Sequence, residues 1–207
     1  MFLQLTIRQT CCKRRKYNEI SRKIEKNLKS LFNESSSEEL FTQTSERQIN
    51  KLVNLVGASP VKFIDFYREN QPNSIPGLRS NTILLNVDGI LEENTDRAPG
   101  VYLSKLGIFV FAVTIGGNVI CIDINDMENG DPVVLLIDHS FCYCDSDDSE
   151  IEIVNLPSYI NESDFLDEDF EFNYKNVRKF VYKIENSFVR FMEKYSLNQF
   201  DDLEMYL

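Results

Sequence analysis

The sequence predicts helices towards both ends of the chain and a mostly antiparallel sheet between them. Three observations carry this reading. Residues 109–139 alternate apolar runs with turns: Phe109-Val-Phe-Ala-Val-Thr-Ile115, then Gly116-Gly-Asn118, then Val119-Ile-Cys-Ile-Asp123. Past Asn129-Gly-Asp-Pro132 comes Val133-Val-Leu-Leu-Ile137, and such punctuation marks strands and hairpins. The connections are too short to hold crossover helices, which favours antiparallel pairing. Outside this run, apolar residues recur at spacings of three and four, the helical period.

From the amino end, Lys13-Arg-Arg-Lys16 closes a segment read as a solubilising terminus. Tyr17, Ile20, Ile24, Leu28 and Leu31 form one stripe of an amphipathic helix over 17–32. Ser35-Ser-Ser-Glu-Glu39 breaks it, and 33–44 reads as a linker. Residues 1–44 are therefore expected to be an extension whose helix docks on the body or pairs two copies into a homodimer through 17–32. Ser45 opens the next helix, with Ile49, Leu52, Val53 and Val56 on one side, and Gly57 ends it. Pro60 starts a third helix, with Val61, Ile64 and Tyr67 facing inward and Phe63 or Phe66 beside them. Residues 71–77 form a loop with two prolines.

Thr82–Val87 is expected to be a strand, 89–93 a turn or edge, and Ala98-Pro-Gly100 a turn before Val101–Leu103. Phe109–Val113 and Asn118–Ile124 form a hairpin around Gly116-Gly117, and Val133–Ile137 the next strand. Ile151–Val154 is expected to be a short edge strand. A last helix starts near Asn176, with Val177, Phe180, Val181, Ile184, Phe188, Phe191, Met192 and Tyr195 on its apolar face. Residues 45–195 make the main domain, and 196–207 a polar, acidic tail.

With 207 residues, 43% of them hydrophobic, 15 Phe and 9 Tyr, the chain is long and apolar enough for a real core. The net charge of −11 is unevenly placed. Residues 1–50 carry ten Lys/Arg against six Asp/Glu, and residues 51–207 carry twelve against twenty-seven. So acidic a body repels nucleic acid and anionic lipid, and attracts a basic partner. Five cysteines, an odd number in no paired pattern, fit a reducing compartment. No signal peptide and no run of transmembrane length is read, so a cytoplasmic protein is expected.

Catalytic constellations are weak. Asp138-His139-Ser140 are chain neighbours, and adjacent strand residues point to opposite faces, so they spell no triad. His139, Cys142 and Cys144, with Asp145 or Asp123, lack the paired spacing of zinc sites. Asp145-Ser-Asp-Asp148 and Asp123–Gly130 lack the full calcium-loop pattern, and Asn125 and Asp126 read as turn caps. Gly116-Gly117 lies between strands rather than before a helix, unlike a phosphate loop. Glu92-Glu93 and Asp147-Asp148 come with no evident cleft. No enzyme, cofactor or metal is expected.

Taken together, several features resemble the SMI1/KNR4, or SUKH, family over about residues 45–195. They are the helix with Phe63–Tyr67, Gln71-Pro72 and Pro76, then Pro99-Gly100, Phe111-Ala112 and Gly116-Gly-Asn118. Ile120-Cys-Ile-Asp123 and Asp138-His139 follow, and a closing helix ends the unit. The resemblance implies an α+β fold with helices packed against a twisted sheet. It also implies the role of the family's bacterial branch, immunity proteins that neutralise toxins, often nucleases, passed between competing bacteria.

Residues 142–174 contain no Lys or Arg, and eleven Asp/Glu fall between Asp145 and Glu171. One expected contact strip is Asp145, Asp147, Asp148, Glu150 and Glu152. A second is Asp164, Asp167, Glu168, Asp169 and Glu171, with Phe165, Phe170 or Phe172 as anchors or as core packing. The competing expectation is a non-catalytic scaffold or regulatory module with no toxin partner.

Overall fold

The computed structural model describes residues 2–32, 40–73, 78–144, 151–153 and 172–207. In chain order these form α1 (Phe2–Phe32), β1 (Phe41–Thr42), α2 (Glu46–Val56), α3 (Val61–Glu69), β2 (Gln71–Pro72) and β3 (Thr82–Leu84). Then come α4 (Val87–Thr95), α5 (Gly100–Leu103), β4 (Ile108–Thr114), β5 (Val119–Glu128) and β6 (Asp131–Ile137). The rest are β7 (Cys142–Cys144), β8 (Ile151–Ile153), α6 (Tyr174–Val177), β9 (Tyr182–Glu185) and α7 (Phe188–Ser196). The main sheet runs β3-β4-β5-β6-β9, and every neighbouring pair is antiparallel. This is an α+β fold with a twisted, mostly antiparallel sheet packed by helices. Residues 33–39 of the expected linker, 74–77 of the expected loop, and 145–150 and 154–171 of the acidic stretch lie outside the described residues.

The central strands are buried on both faces, which explains why they read as unbroken apolar runs. Phe109, Phe111, Ile120, Ile122, Val134 and Leu136 face the core shared with α1, α2, α3 and α7. Ile108, Val110, Val119, Cys121, Val133, Leu135 and Ile137 face a second core, closed by Leu103, Phe141, Cys142, Val177, Phe180 and Val181. In the first core Phe63, Phe66, Phe111 and Phe188 meet edge to face, with centroids 5.1–6.0 Å apart. Such aromatic pairs add stability beyond the area they bury.

The helix over 17–32 is longer than expected, because the basic segment before it is also helical from Phe2. Tyr17, Ile20, Ile24 and Leu28 are buried in the first core. The Tyr17 hydroxyl donates to the Lys62 carbonyl at 3.3 Å, and its ring meets Phe66 edge-on. Asn27 donates to the Ser196 carbonyl, and Lys16 pairs with Glu193 at 2.8 Å. The stripe expected to pair two copies is thus occupied within one chain. The side chain of Leu31 lies outside the described residues.

Local signals set the ends of α2 and α3. Ser45 and Gln48 cap each other reciprocally, and Gly57 takes a positive φ as its N–H reaches the Val53 carbonyl. Val61 is exposed rather than inward, because Phe63, Ile64, Phe66 and Tyr67 fill the buried face of α3. The segment 87–95, expected to be strand end and turn, is a helix. The Asn86 side chain accepts the Gly89 N–H at 2.8 Å, and Val87, Ile90 and Asn94 face inward. Val101–Leu103 continues the helical path as α5.

Asn94 has a second task. The β4–β5 register slips between Val110 and Ala112, and on the other side β3 pairs with β4 only from Ala112 to Thr114, so it stops short of Val110. The buried Asn94 amide donates to the Val110 carbonyl and accepts its N–H, both at 2.8 Å. Gly100 makes the close approach possible, since a Cβ there would lie 2.2 Å from the Glu93 carbonyl oxygen.

The expected long final helix is instead α6, β9 and α7. The exposed backbone edge of β6 offers hydrogen bonds that a helix over 178–187 could not use. Val181-Tyr-Lys-Ile184 is β-branched and aromatic enough to take them. Ser187 then caps α7 through the Arg190 N–H, while Asp131 accepts from the Ser187 hydroxyl at 2.7 Å and the Val189 N–H at 3.2 Å. Glu185, buried at the end of β9, receives Lys194 and Arg190. Burial alone would raise its carboxyl pKa. The Lys194 hydrogen bond, the Asn186 N–H and the two cationic charges outweigh burial and hold it below the ordinary value. The tail is docked too: Leu203 is buried, and Phe200 packs on Phe191 at 5.1 Å.

Asn94→Ala leaves both Val110 backbone groups unpaired and is expected to cost about 2 kcal/mol, read from urea unfolding. Because folding lowers the Glu185 pKa, its stabilisation is complete above the ordinary glutamate range. It is lost as the pH falls through the lowered folded value. Glu185→Gln should therefore lower stability at neutral pH and flatten the acid limb of a melting-temperature profile, below the ordinary glutamate range.

Candidate protein-binding face

The acidic tract leaves and rejoins the body at opposite ends of the second sheet face. At its start, β6 ends at Ile137 and the chain turns. Asp138 accepts the Ser140 N–H at 2.7 Å and the Ser140 hydroxyl at 2.6 Å. His139 donates its backbone N–H to the Asn118 amide oxygen at 3.1 Å, and its Nδ1 lies 3.2 Å from the same atom. Its side chain is 59% exposed, and Nδ1 stands 3.6 Å from Asp138. This is a histidine at a strand end, tied to the tip of the β4–β5 hairpin.

Phe141 and Cys142 then plug the second core. From Cys142 the chain enters a two-stranded ribbon, in which Cys142 faces Ile153, Tyr143 faces Glu152 and Cys144 faces Ile151. Glu152 is placed on this ribbon by its backbone register. Asp145, Asp147, Asp148, Glu150, Asp164, Phe165, Asp167, Glu168, Asp169, Phe170 and Glu171 lie outside the described residues. Phe172 is half-buried and packs against the second core, so of the two roles expected for it, core packing is the one seen.

The far end is held by a buried polar knot. Asp123 is 0% exposed at a bulge of β5, where the register with β6 slips between Asp123 and Met127. Its carboxylate accepts the Tyr174 hydroxyl at 2.9 Å, Arg178 Nε at 3.0 Å and the Asn125 N–H at 3.0 Å. Arg178 also reaches Asp126 at 2.9 Å. Asn125 donates to the Leu106 carbonyl at 2.8 Å. Asn125 and Asp126 therefore sit within β5 and do not cap its turn. The turn belongs to Asn129 and Gly130, both at positive φ. Burial, and then the hydrogen bond to Asp123 and its charge, raise the Tyr174 pKa, so the hydroxyl stays a donor.

The knot joins residues 51 and 55 positions apart along the chain, and nothing in either segment announces the other.

Burial pushes the Cys142 thiol up to about 12 and the Cys121 thiol well above its ordinary value, so both stay protonated. Among the described residues, no group of three or more His, Cys, Asp or Glu is arranged to hold a metal ion. Glu92 and Glu93 both pair with Arg97, and Gly116 is spanned by the Glu204 carboxylate, which accepts its N–H at 2.8 Å. Among the described residues, no helix is long and apolar enough to cross a membrane.

No protein-family model, no curated protein and no solved structure matches this chain.

Arg178→Met strands the Asp123 charge in the core and should cost about 3 kcal/mol in urea unfolding. Combining it with Asp123→Asn should recover part of that loss, because the uncompensated charge is then gone.

Proposed function

We propose that this protein is an immunity protein of the SMI1/KNR4 type, held in the bacterial cytoplasm. It binds and neutralises a cognate, basic toxin domain, such as a nuclease, by covering its active face. The observation that carries this reading is the tract itself. A stretch of 33 residues without Lys or Arg, bearing eleven carboxylates between 145 and 171, is tied at both flanks to one sheet face. The sequence resemblance over residues 45–195 supplies the class of role.

Inhibition of this kind needs affinity rather than chemistry. A nuclease binds its substrate with a basic surface, and an acidic inhibitor competes for that surface. Opposed potentials accelerate encounter, while a few buried anchors hold the complex. Asp145, Asp147, Asp148, Glu150 and Glu152 supply one charged strip. Asp164, Asp167, Glu168, Asp169 and Glu171 supply the other, with Phe165 and Phe170 as anchors. Fixed flanks reduce the ordering cost of binding. No catalytic residue, cofactor or metal is required.

Purification of the protein from its native cell should bring down a basic toxin domain, and calorimetry should give a Kd of about nanomolar order. Binding should abolish the toxic activity. The double change Asp147→Lys with Asp148→Lys should slow association about tenfold at low salt and less at high salt. Recovery of a non-toxic partner instead would favour the scaffold reading.

A further inference from the structure

The tip of the β4–β5 hairpin holds two segments that are far apart in the chain. One is the turn after β6, which leads towards the acidic tract. The other is the carboxy-terminal segment. Both meet the buried side chain of Asn118. Its backbone is fixed by Thr114, whose N–H reaches the Asn118 carbonyl at 2.8 Å and whose hydroxyl accepts the Asn118 N–H at 3.0 Å.

The two ends of the Asn118 amide have different partners. Oδ1 accepts the His139 backbone N–H at 3.1 Å. The His139 Nδ1 lies 3.2 Å from the same oxygen, and donates to it in the tautomer that carries a proton there. Nδ2 donates to Glu204 Oε2 at 2.5 Å, while Glu204 Oε1 accepts the Gly116 N–H at 2.8 Å. A backbone N–H only donates and an ionised carboxylate only accepts. Turning the amide over would set its NH2 group against the His139 N–H and its oxygen against the carboxylate. Both ends are satisfied in one orientation and both fail in the other.

The glycines of the tip admit this arrangement. A Cβ on Gly116 would lie 2.6 Å from Glu204 Oε1, so the carboxylate rests directly on that glycine. A Cβ on Gly117, at φ +95°, would lie 3.8 Å from His139 Cγ. Each partner is itself carried on an ordered turn. Asp138 holds the Ser140 N–H and hydroxyl, which sets the turn that presents His139. Leu203 is buried, and Asp202 accepts the Glu204 N–H at 3.1 Å, which sets the turn that presents Glu204.

We infer that Asn118 is a coupling residue. Its amide ties the docking of the carboxy-terminal segment to the conformation of the turn at the root of the acidic tract, so that release of either loosens the other. A partner that moves the turn is then felt at the carboxy-terminal segment, whether or not that partner is a toxin. Coupling of this kind is reciprocal. Its physical carrier is a side chain with one satisfied orientation and one unsatisfied one.

The test measures amide hydrogen exchange in the full chain at Gly116 and His139. The control is Gly57, whose N–H is held by Val53 at the end of α2. Glu204→Ala should speed exchange at the His139 N–H about fivefold, although Glu204 bonds Asn118 and not that group. His139→Ala should speed exchange at Gly116 about threefold, the smaller effect because the backbone N–H at 139 still holds Oδ1. Asn118→Asp sets a carboxylate against Glu204 and should speed exchange at Gly116 about tenfold. Adding Glu204→Gln reverses the polarity of that pair, since the new amide donates to the new carboxylate and still accepts from Gly116. The double variant should therefore recover most of the protection. Gly57 should not change in any of them. No rise at His139 in Glu204→Ala, no rise at Gly116 in His139→Ala, an equal rise at Gly57, or a double variant as fast as Asn118→Asp alone would each overturn the inference.

Discussion

The three central strands of the sheet are apolar on both faces, and water must be kept from each. One face is covered by helices α1, α2, α3 and α7, through the Phe63–Phe66–Phe111–Phe188 cluster. Among the described residues, no long helix covers the other. It is closed by pieces: the short α5, the plug Phe141–Cys142, and the return segment from Phe172 to Val181. This second cover fixes where the acidic tract starts and stops, since its two flanks are themselves core residues.

Such a patchwork leaves backbone and polar groups that regular structure does not satisfy. At four such places a side chain supplies the partner. Asn94 stands in for a strand partner at the β4 bulge. Asp123 gathers Tyr174, Arg178 and Asn125 at the β5 bulge. Asp131 reaches from β6 to cap α7, and Glu204 reaches from the tail to the hairpin tip. Buried polar groups are tolerated when fully paired, and each of these sites pins a segment in place while pairing it. The tail and the return segment are held by polar contacts as much as by burial.

Much of the fold was legible before the structure. The β4–β5 hairpin, β6, the cap at Ser45 and the stop at Gly57 follow from patterns only a few residues long. Helix α4 was legible but missed: Asn86 before Val87, Ile90 and Asn94 is a capped helix start. The final segment misled for a physical reason. Phe180, Val181, Ile184 and Phe188 recur at helical spacing, but the open edge of β6 recruits Tyr182–Glu185 as a strand. Helical spacing records which residues are apolar, not whether an unpaired strand lies nearby. The candidate site divides the same way. Its acidity was plain from composition, whereas its anchorage through Asp123 and Arg178 joins segments far apart in the chain.

By itself, then, the sequence determined the apolar strands, the local caps and turns, the antiparallel pairing forced by short connections, and the concentration of carboxylates between 145 and 171. All depend on neighbours within a few residues. The tertiary structure decided that α1 docks on the body, that the last apolar stretch splits around a fifth strand, and that the tail docks on the hairpin tip. Those outcomes depend on which surfaces and hydrogen-bonding edges remain uncovered once the central strands have met, which no local pattern encodes.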